Sequence, residues 1–430
     1  MRPSGRRWSW PRRNTPEHIR ERQERLRALP HWDRADDFVW EWPRPPEQLA
    51  GMLESLTAHT VLPVSVVGPM AVAVGRYGVA EPDGALVEEG RESEEVYVPL
   101  AHTEGGLSAS MQRGIAAVAE GEPIRTHVVH DRMTRDSCFL FRTTEDALAF
   151  ARWVADQAPA MRRWLHDPAN PLHDQRLGGV PRLSRHARLR EVDTHVLGPA
   201  CHVLYRYTTG EACGPNMITR NSFSLNTEFV TPRFQAATGI APERVLLEAN
   251  MGGDKKPSAQ YFIEGGHGKT VLAEVTVREE TLRRVLHTTG RDLVALEHLG
   301  LHGSHASGMQ SVAFTPASAV AAVFAATGQD LGMVGTSSMA HDVLEPVDGG
   351  IHLAVRFSGI EVGTVGGGTG LPHARAFLSL LRCTGPGSAH RLAQLVAAAA
   401  LCLELSASAS ASLRGSENFA TAHSTSSGRA

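Results

Sequence analysis

Between about residues 46 and 405, apolar runs of strand type and helix type follow one another with Gly/Pro punctuation, but not in regular alternation. That irregular order points away from a doubly wound parallel sheet and predicts an α+β fold. Val61–Val67 reads as an extended segment ending at Gly68-Pro69. Leu107–Val118 reads as a helix, Phe139–Arg142 as a strand and Thr144–Ala155 as a helix with acids at its start. Cys201–Tyr207, Val271–Val277 and His352–Phe357 carry strand patterns. Ala317–Ala326 is a small-residue helix suited to close packing, and His390–Leu405 a long apolar helix. Thr15-Pro16-Glu17 predicts a helix start in the N-terminal arm, with Thr15 as cap and Pro16 at the first position.

At 430 residues the chain has room for a large core and for two or three structural units. Its net charge of -3 disfavours a general nucleic-acid or anionic-membrane binder. Five scattered cysteines, without CxxC spacing, fit reduced thiols better than a disulfide framework or a zinc site. The basic N-terminus lacks an apolar stretch behind it, and the run around Leu395–Leu403 is short for a bilayer. A cytoplasmic protein without a membrane anchor is the expectation.

Four clusters carry candidate chemistry. Glu104 lies in the glycine-flanked turn His102-Thr103-Glu104-Gly105-Gly106 before a helix, where a carboxyl of raised pKa acts as a general acid. Lys255 and Lys256 are adjacent in a chain whose 43 basic residues include one other lysine, Lys269. That scarcity suggests a need for a compact ammonium that arginine does not meet. In Gly253-Asp254-Lys255-Lys256-Pro257 such an ammonium is presented by a turn to a developing oxyanion. Asp330, in Gly328-Gln329-Asp330, follows the small-residue helix at its electrostatically unfavourable end, which calls for a raised pKa or a cationic partner. Glu361 opens a glycine-rich run through Gly370 that permits close backbone approach. No GxGxxG follows a strand and opens a helix, so a dinucleotide here is not held by the usual Rossmann device. His298, His302 and His305 have metal-like spacing without a cysteine nearby, and no metal is expected.

Taken in order, these segments resemble the hydroxymethylglutaryl-CoA (HMG-CoA) reductase family, particularly the class that includes the eukaryotic catalytic domain. The resemblance runs from about Leu62 to the C-terminus, through LPVSVVGPM, TEGGLSASMQRG, MTRD, SRHARL, GEACGPNMIT, DKKP, IEGGHGK, TGQD and EVGTVGGGTGLP. It implies a large helix-centred domain (46–136 and 248–405) with an inserted ferredoxin-like NADP-binding domain (137–247). An N-terminal arm (1–45) and a mobile tail (406–430) flank them.

By the same resemblance Glu104, Lys255, Asp330 and the tail histidine His423 are catalytic. Arg135, Asp254 and Lys256 hold the substrate, and Arg113 lies near CoA. Ser184 and Arg185 grip the 2′-phosphate of NADPH, Glu211 and Asn216 meet its nicotinamide half, and Gly366, Gly367 and Gly368 lie by the dinucleotide. The implied activity is NADPH-dependent four-electron reduction of HMG-CoA to mevalonate and CoA, in a homodimer with its site between subunits. The sequence departs from the family on the side of the substrate carboxylate. Glu248 stands where a serine is usual, Leu299 near where a lysine is usual, and Thr315-Pro316-Ala317-Ser318 where HAAN is usual. Those departures open two alternatives: a different acyl-CoA substrate in specialised metabolism, or a non-catalytic regulatory or scaffold subunit.

Overall fold

A computed structural model describes residues 15–27, 55–80, 84–412 and 420. Two compact units divide the chain, Met1–Pro63 and Val64–Ala430. In the first, a helix spans Pro16–Arg27, and the Thr15 hydroxyl accepts the His18 amide at 3.3 Å, as the cap motif predicts. His423 lies outside the described residues.

The second unit is α+β. Its strands are β1 (Val64–Val79), β2 (Leu86–Ala101), β3 (Ile124–Leu140), β4 (Arg188–Leu197), β5 (Ala200–Thr208), β6 (His267–Arg278), β7 (Ala340–Val347) and β8 (Gly350–Ile360). One path through the sheet runs β7-β8-β6-β3-β1-β2. A branch leaves β3 to β5 and β4, and a short strand, Arg244–Leu246, also pairs with β3. β1 does not stop at Gly68-Pro69 as expected. It crosses them with a register shift and continues to Val79, because β2 supplies hydrogen bonds on both sides of the irregularity.

β3 belongs to two cores. Its first half, with Ile124 and Val128, packs into the larger one, and its second half, with Met133 and Phe139, into the smaller. The change of partner falls at Met133, which is in register with His267 of β6 and with Tyr207 of β5. Beyond it the chain runs strand, helix (Thr144–His166), β4, β5, helix (Pro215–Leu225), short strand, with β3 between β5 and the short strand and every pairing antiparallel. That is the βαββαβ ferredoxin-like order. Phe139, Phe141, Phe150 and Phe234 form its aromatic centre, with ring centroids 4.6–5.8 Å apart.

The larger core wraps the helix Ser388–Ala411. By length and composition this helix is long enough to cross a membrane, contrary to the shorter run read from sequence, yet 94% of its apolar window is buried inside the protein. A helix apolar all round needs cover on every side. Gly114 lets helix Leu107–Val118 cross it, since a Cβ there would lie 1.8 Å from the Cys402 carbonyl oxygen. Its polar residues are spent on its neighbours. Gln394 bonds the Gly75 amide and carbonyl and receives the Thr126 hydroxyl at 2.8–3.0 Å. Glu404 accepts the Phe314 and Thr315 amides at 2.8 Å and the Thr315 hydroxyl at 2.6 Å, capping helix Pro316–Thr327.

The third lysine is structural. Lys269 is 2% exposed, and its ammonium lies 3.3 Å from Asp131, whose other oxygen meets His390 at 2.8 Å. Burial alone would raise the Asp131 pKa, but Lys269 and His390 together hold it at about 2. The sign follows from a lowered pKa: the stabilisation is complete above the usual carboxylate range and fades as pH falls from about 4 toward 2. Asp131→Asn is expected to cost roughly 3–5 kcal/mol at neutral pH, since it strands a buried ammonium, and to flatten the acid limb. Denaturant unfolding between pH 2 and 7 checks both.

Candidate active site

Lys255 is held by backbone rather than by a helix or strand. The turn Gly252–Pro257 is closed by the Gly253 amide on the Asn250 carbonyl (3.2 Å) and the Lys256 amide on the Gly253 carbonyl (2.9 Å). Lys255 itself sits at φ 59°, in the left-handed region. Its Nζ lies 2.7 Å from Oδ2 of Asp330, and both side chains are half exposed. Asp330 reaches this point because Gly328, at φ 69°, ends helix Pro316–Thr327 and turns the chain. The other oxygen of Asp330 accepts the Gly332 amide at 2.9 Å. A Cβ at Gly332 would stand 3.0 Å from the Lys255 ammonium, so glycine makes room for the pair.

The electrostatics answer the question raised by an acid at a helix end. It has a cationic partner. The hydrogen bond to Asp330 raises the Lys255 pKa above its ordinary value. For Asp330, burial pushes upward, but the Lys255 and Gly332 hydrogen bonds outweigh it and the net shift is down. The pair is ionised at neutral pH. Lys255 is therefore a fixed positive charge and not a base.

Beside it, Arg135 lies on β3 just past the change of partner, with 6% of its side chain exposed. Its guanidinium pairs with Glu248 and, at 3.2 Å, with Asp254. Lys256 is exposed and donates to the Asp254 carbonyl at 3.3 Å. Two residues given no role from sequence complete the floor. His267 and Glu361 are fully buried and joined at 2.6 Å. Both stand inside quoted motifs, IEGGHGK and EVGTVGGGTGLP, but their pairing is tertiary and left no local signal.

The structure brings together Lys255, Asp330, Asp254, Arg135 and Lys256. The Glu104 carboxylate is exposed before helix Leu107–Val118 and makes no contact with Lys255 or Asp330 among the described residues. Arg113 turns inward to the Ser406 hydroxyl (2.9 Å), the Ser406 carbonyl (2.6 Å) and Ser410. The Glu211 carboxylate accepts the Gly387 and Ala389 amides (2.6 and 2.7 Å) and the Ser388 hydroxyl (3.0 Å), capping the central helix.

Arg185 is exposed, with Asp174 3.9 Å away, whereas Ser184 is buried with its hydroxyl on the Met217 sulfur at 3.1 Å. Asn216 is exposed at the start of helix Pro215–Leu225. The glycine run divides by task. A Cβ on Gly368 would meet the Gly328 carbonyl oxygen at 2.5 Å, so that glycine is needed for packing. Gly366 and Gly367, at φ 87° and 54°, face open space. Among the histidines of helix Gly290–Ser307, His298 and His302 pack ring to ring with centroids 4.7 Å apart.

Residues 18–427 match the family profile described as hydroxymethylglutaryl-coenzyme A reductase. The chain is 32% identical to the 3-hydroxy-3-methylglutaryl-coenzyme A reductase of Aeropyrum pernix, over 84% of this chain and 83% of that one. It is 31% identical to that of Haloferax volcanii, over 86% and 84%. Identity to an Aspergillus terreus reductase is 34% over 82% of this chain, which spans only 31% of that longer protein. In three dimensions it is similar to the class II 3-hydroxy-3-methylglutaryl-CoA reductase from Streptococcus pneumoniae bound to NADPH. The TM-score is 0.61 at 15% identity, over 92% of this chain and 96% of that one, a likeness of fold.

With three lysines in the chain, selective ¹⁵N-lysine labelling resolves the Lys255 ammonium. Asp330→Asn removes the partner that raises its pKa, so its titration midpoint is expected to fall. An unchanged midpoint contradicts the pairing.

Proposed function

Because the chain belongs to the hydroxymethylglutaryl-coenzyme A reductase family, we propose that it reduces a CoA thioester with NADPH, taking HMG-CoA to mevalonate and free CoA. The observation that carries this reading is the Lys255–Asp330 pair, an ammonium kept charged at the mouth of a polar floor. Reducing a thioester to an alcohol takes two hydride additions, the first giving a hemithioacetal and the second acting on the aldehyde released from it. Each places negative charge on the former carbonyl oxygen, and Lys255 is set to receive it. Asp330 holds the ammonium in place and keeps it protonated.

NADPH, when bound, supplies the hydride. The residues present fit it. Gly366 and Gly367 leave open space that any side chain would enter, and Arg185 offers an exposed guanidinium to a phosphate. Asn216 stands exposed at a helix start for the nicotinamide half. Glu211 and Ser184 act by holding neighbouring backbone, the Ala389 and His186 amides respectively, since their side chains are already engaged.

Glu104 serves in this reading as the proton donor of the aldehyde step, and His423 protonates the departing thiolate. The exposed Glu104 carboxylate, not bonded to Lys255 or Asp330 among the described residues, fits a homodimer in which each site takes Glu104 from the second subunit. Mixing inactive Glu104→Gln and Lys255→Ala proteins under subunit exchange is then expected to restore about a quarter of wild-type activity, because half of random dimers carry one intact site. No recovery rejects the shared site.

Arg135 favours a second reading of the acyl group. Buried between Glu248 and Asp254, it is already compensated and offers little to a free substrate carboxylate. Leu299 is exposed and Ser318 brings no charge. In that reading the enzyme reduces an acyl-CoA without a distal carboxylate. NADPH oxidation with HMG-CoA and with uncharged acyl-CoA thioesters decides between them. Under the second reading Glu248→Ser frees Arg135 and shifts kcat/KM toward HMG-CoA by about tenfold or more. Under the first, wild-type protein already prefers HMG-CoA.

A further inference from the structure

We propose that His267 is a positioning residue: its ring, held by Glu361, braces Asp254 from the interior and so fixes the turn that presents Lys255. The inference rests on Lys255 carrying the reductive chemistry.

His267 opens β6 where that strand lies tight against Ile360 and Glu361. A Cβ on Gly268 would lie 2.6 Å from the Ile360 carbonyl, so the two strands approach as closely as glycine permits and bring His267 onto Glu361. Glu361 is saturated. Oε2 takes Nδ1 of His267 at 2.6 Å, Oε1 takes the Thr336 hydroxyl, and its amide bonds the Ser337 hydroxyl at 3.0 Å. The carboxylate thereby orients the ring and assigns Nδ1 as the donor. Among the described residues Nε2 is left buried with no partner.

Asp254 has the matching defect. Oδ2 receives Arg135, while Oδ1 is buried and, among the described residues, unpartnered. A ring nitrogen of His267, an oxygen of Asp254 and an oxygen of Glu361 all lie within 4.8 Å of one another. Among the described residues the two unpartnered atoms are not bonded directly, and with Nδ1 as the donor both are acceptors, so one water that donates to each joins them. That bridge ties Asp254 to the ring. Asp254 immediately precedes Lys255, whose left-handed φ needs outside support. Arg135 holds Asp254 from one side, and His267 supplies the other.

One histidine and two carboxylates also resemble a metal-ligand set. Here Glu361 is already spent on orienting the ring and Asp254 is paired with a guanidinium, which leaves too few free ligands for zinc.

Substitutions separate the two ring nitrogens. Glutamine reaches the Nε2 position and asparagine the Nδ1 position. In NADPH oxidation with the preferred thioester, His267→Asn and His267→Phe are expected to lose about tenfold or more in kcat, with KM for NADPH little changed, and His267→Gln to recover most of it. Equal loss in His267→Asn and His267→Gln, loss in KM alone, or stoichiometric zinc in the purified protein overturns the proposal. A readout independent of turnover is the ring signal of His267 in ¹³C-histidine-labelled protein. It should shift in Asp254→Asn, and an unmoved signal overturns the brace. If wild-type protein reduces no thioester, the functional reading fails, and the ring signal still decides whether His267 and Asp254 are coupled.

Discussion

Burial of the helix Ser388–Ala411 is the constraint on which the larger core depends. Apolar on every face, it has to be enclosed, and the strands and helices of that core are what enclose it. Its few polar groups then act as anchors. Gln394 ties β1 to β3, Glu404 caps the helix that leads to Asp330, and the helix start is held by Glu211. Burial and the negative charge of Asp342 push the Glu404 carboxyl up to about 7, and the three donors at Phe314 and Thr315 only partly offset this. One hydrophobic requirement thus sets the backbone that carries the site.

The site is a balance of charges more than a pocket shape. Lys255, Lys256 and Arg135 bring positive charge, and Asp330, Asp254 and Glu248 answer it. Lys255 and Arg135 are locked in pairs, whereas among the described residues Lys256 reaches a backbone carbonyl. In the proposed function a ligand carboxylate entering here competes with protein carboxylates that are already in place, Glu248 among them.

Legibility in the sequence followed the range of the forces involved. Helix Leu107–Val118 was readable to the residue, because its cues are local: a glycine turn before it and small apolar residues along it. The α+β class was readable for the same reason, as was the need at Asp330 for either a raised pKa or a cationic partner, between which Lys255 decides. Continuation of β1 past Gly68-Pro69 was not, since only β2, an element distant in sequence, maintains the ladder there. Nor was the split within the glycine run, where Gly368 serves packing and Gly366 and Gly367 leave space. The inward turn of Arg113 and Glu211 was hidden as well: both bond the central helix, more than 170 positions away. The resemblance implied ligand contacts for both, and their bonds to the central helix carry no local cue.

Because β3 is hydrogen-bonded along its length into one nine-stranded sheet, the smaller core is not a body hung on a loop. Any swing of it against the larger core has to twist Ile124–Leu140 and also work against the hold of Glu211 on Gly387 and Ala389. Arg135 stands on that strand and faces Asp254. The two halves are therefore geared to each other beside the Lys255 turn rather than hinged.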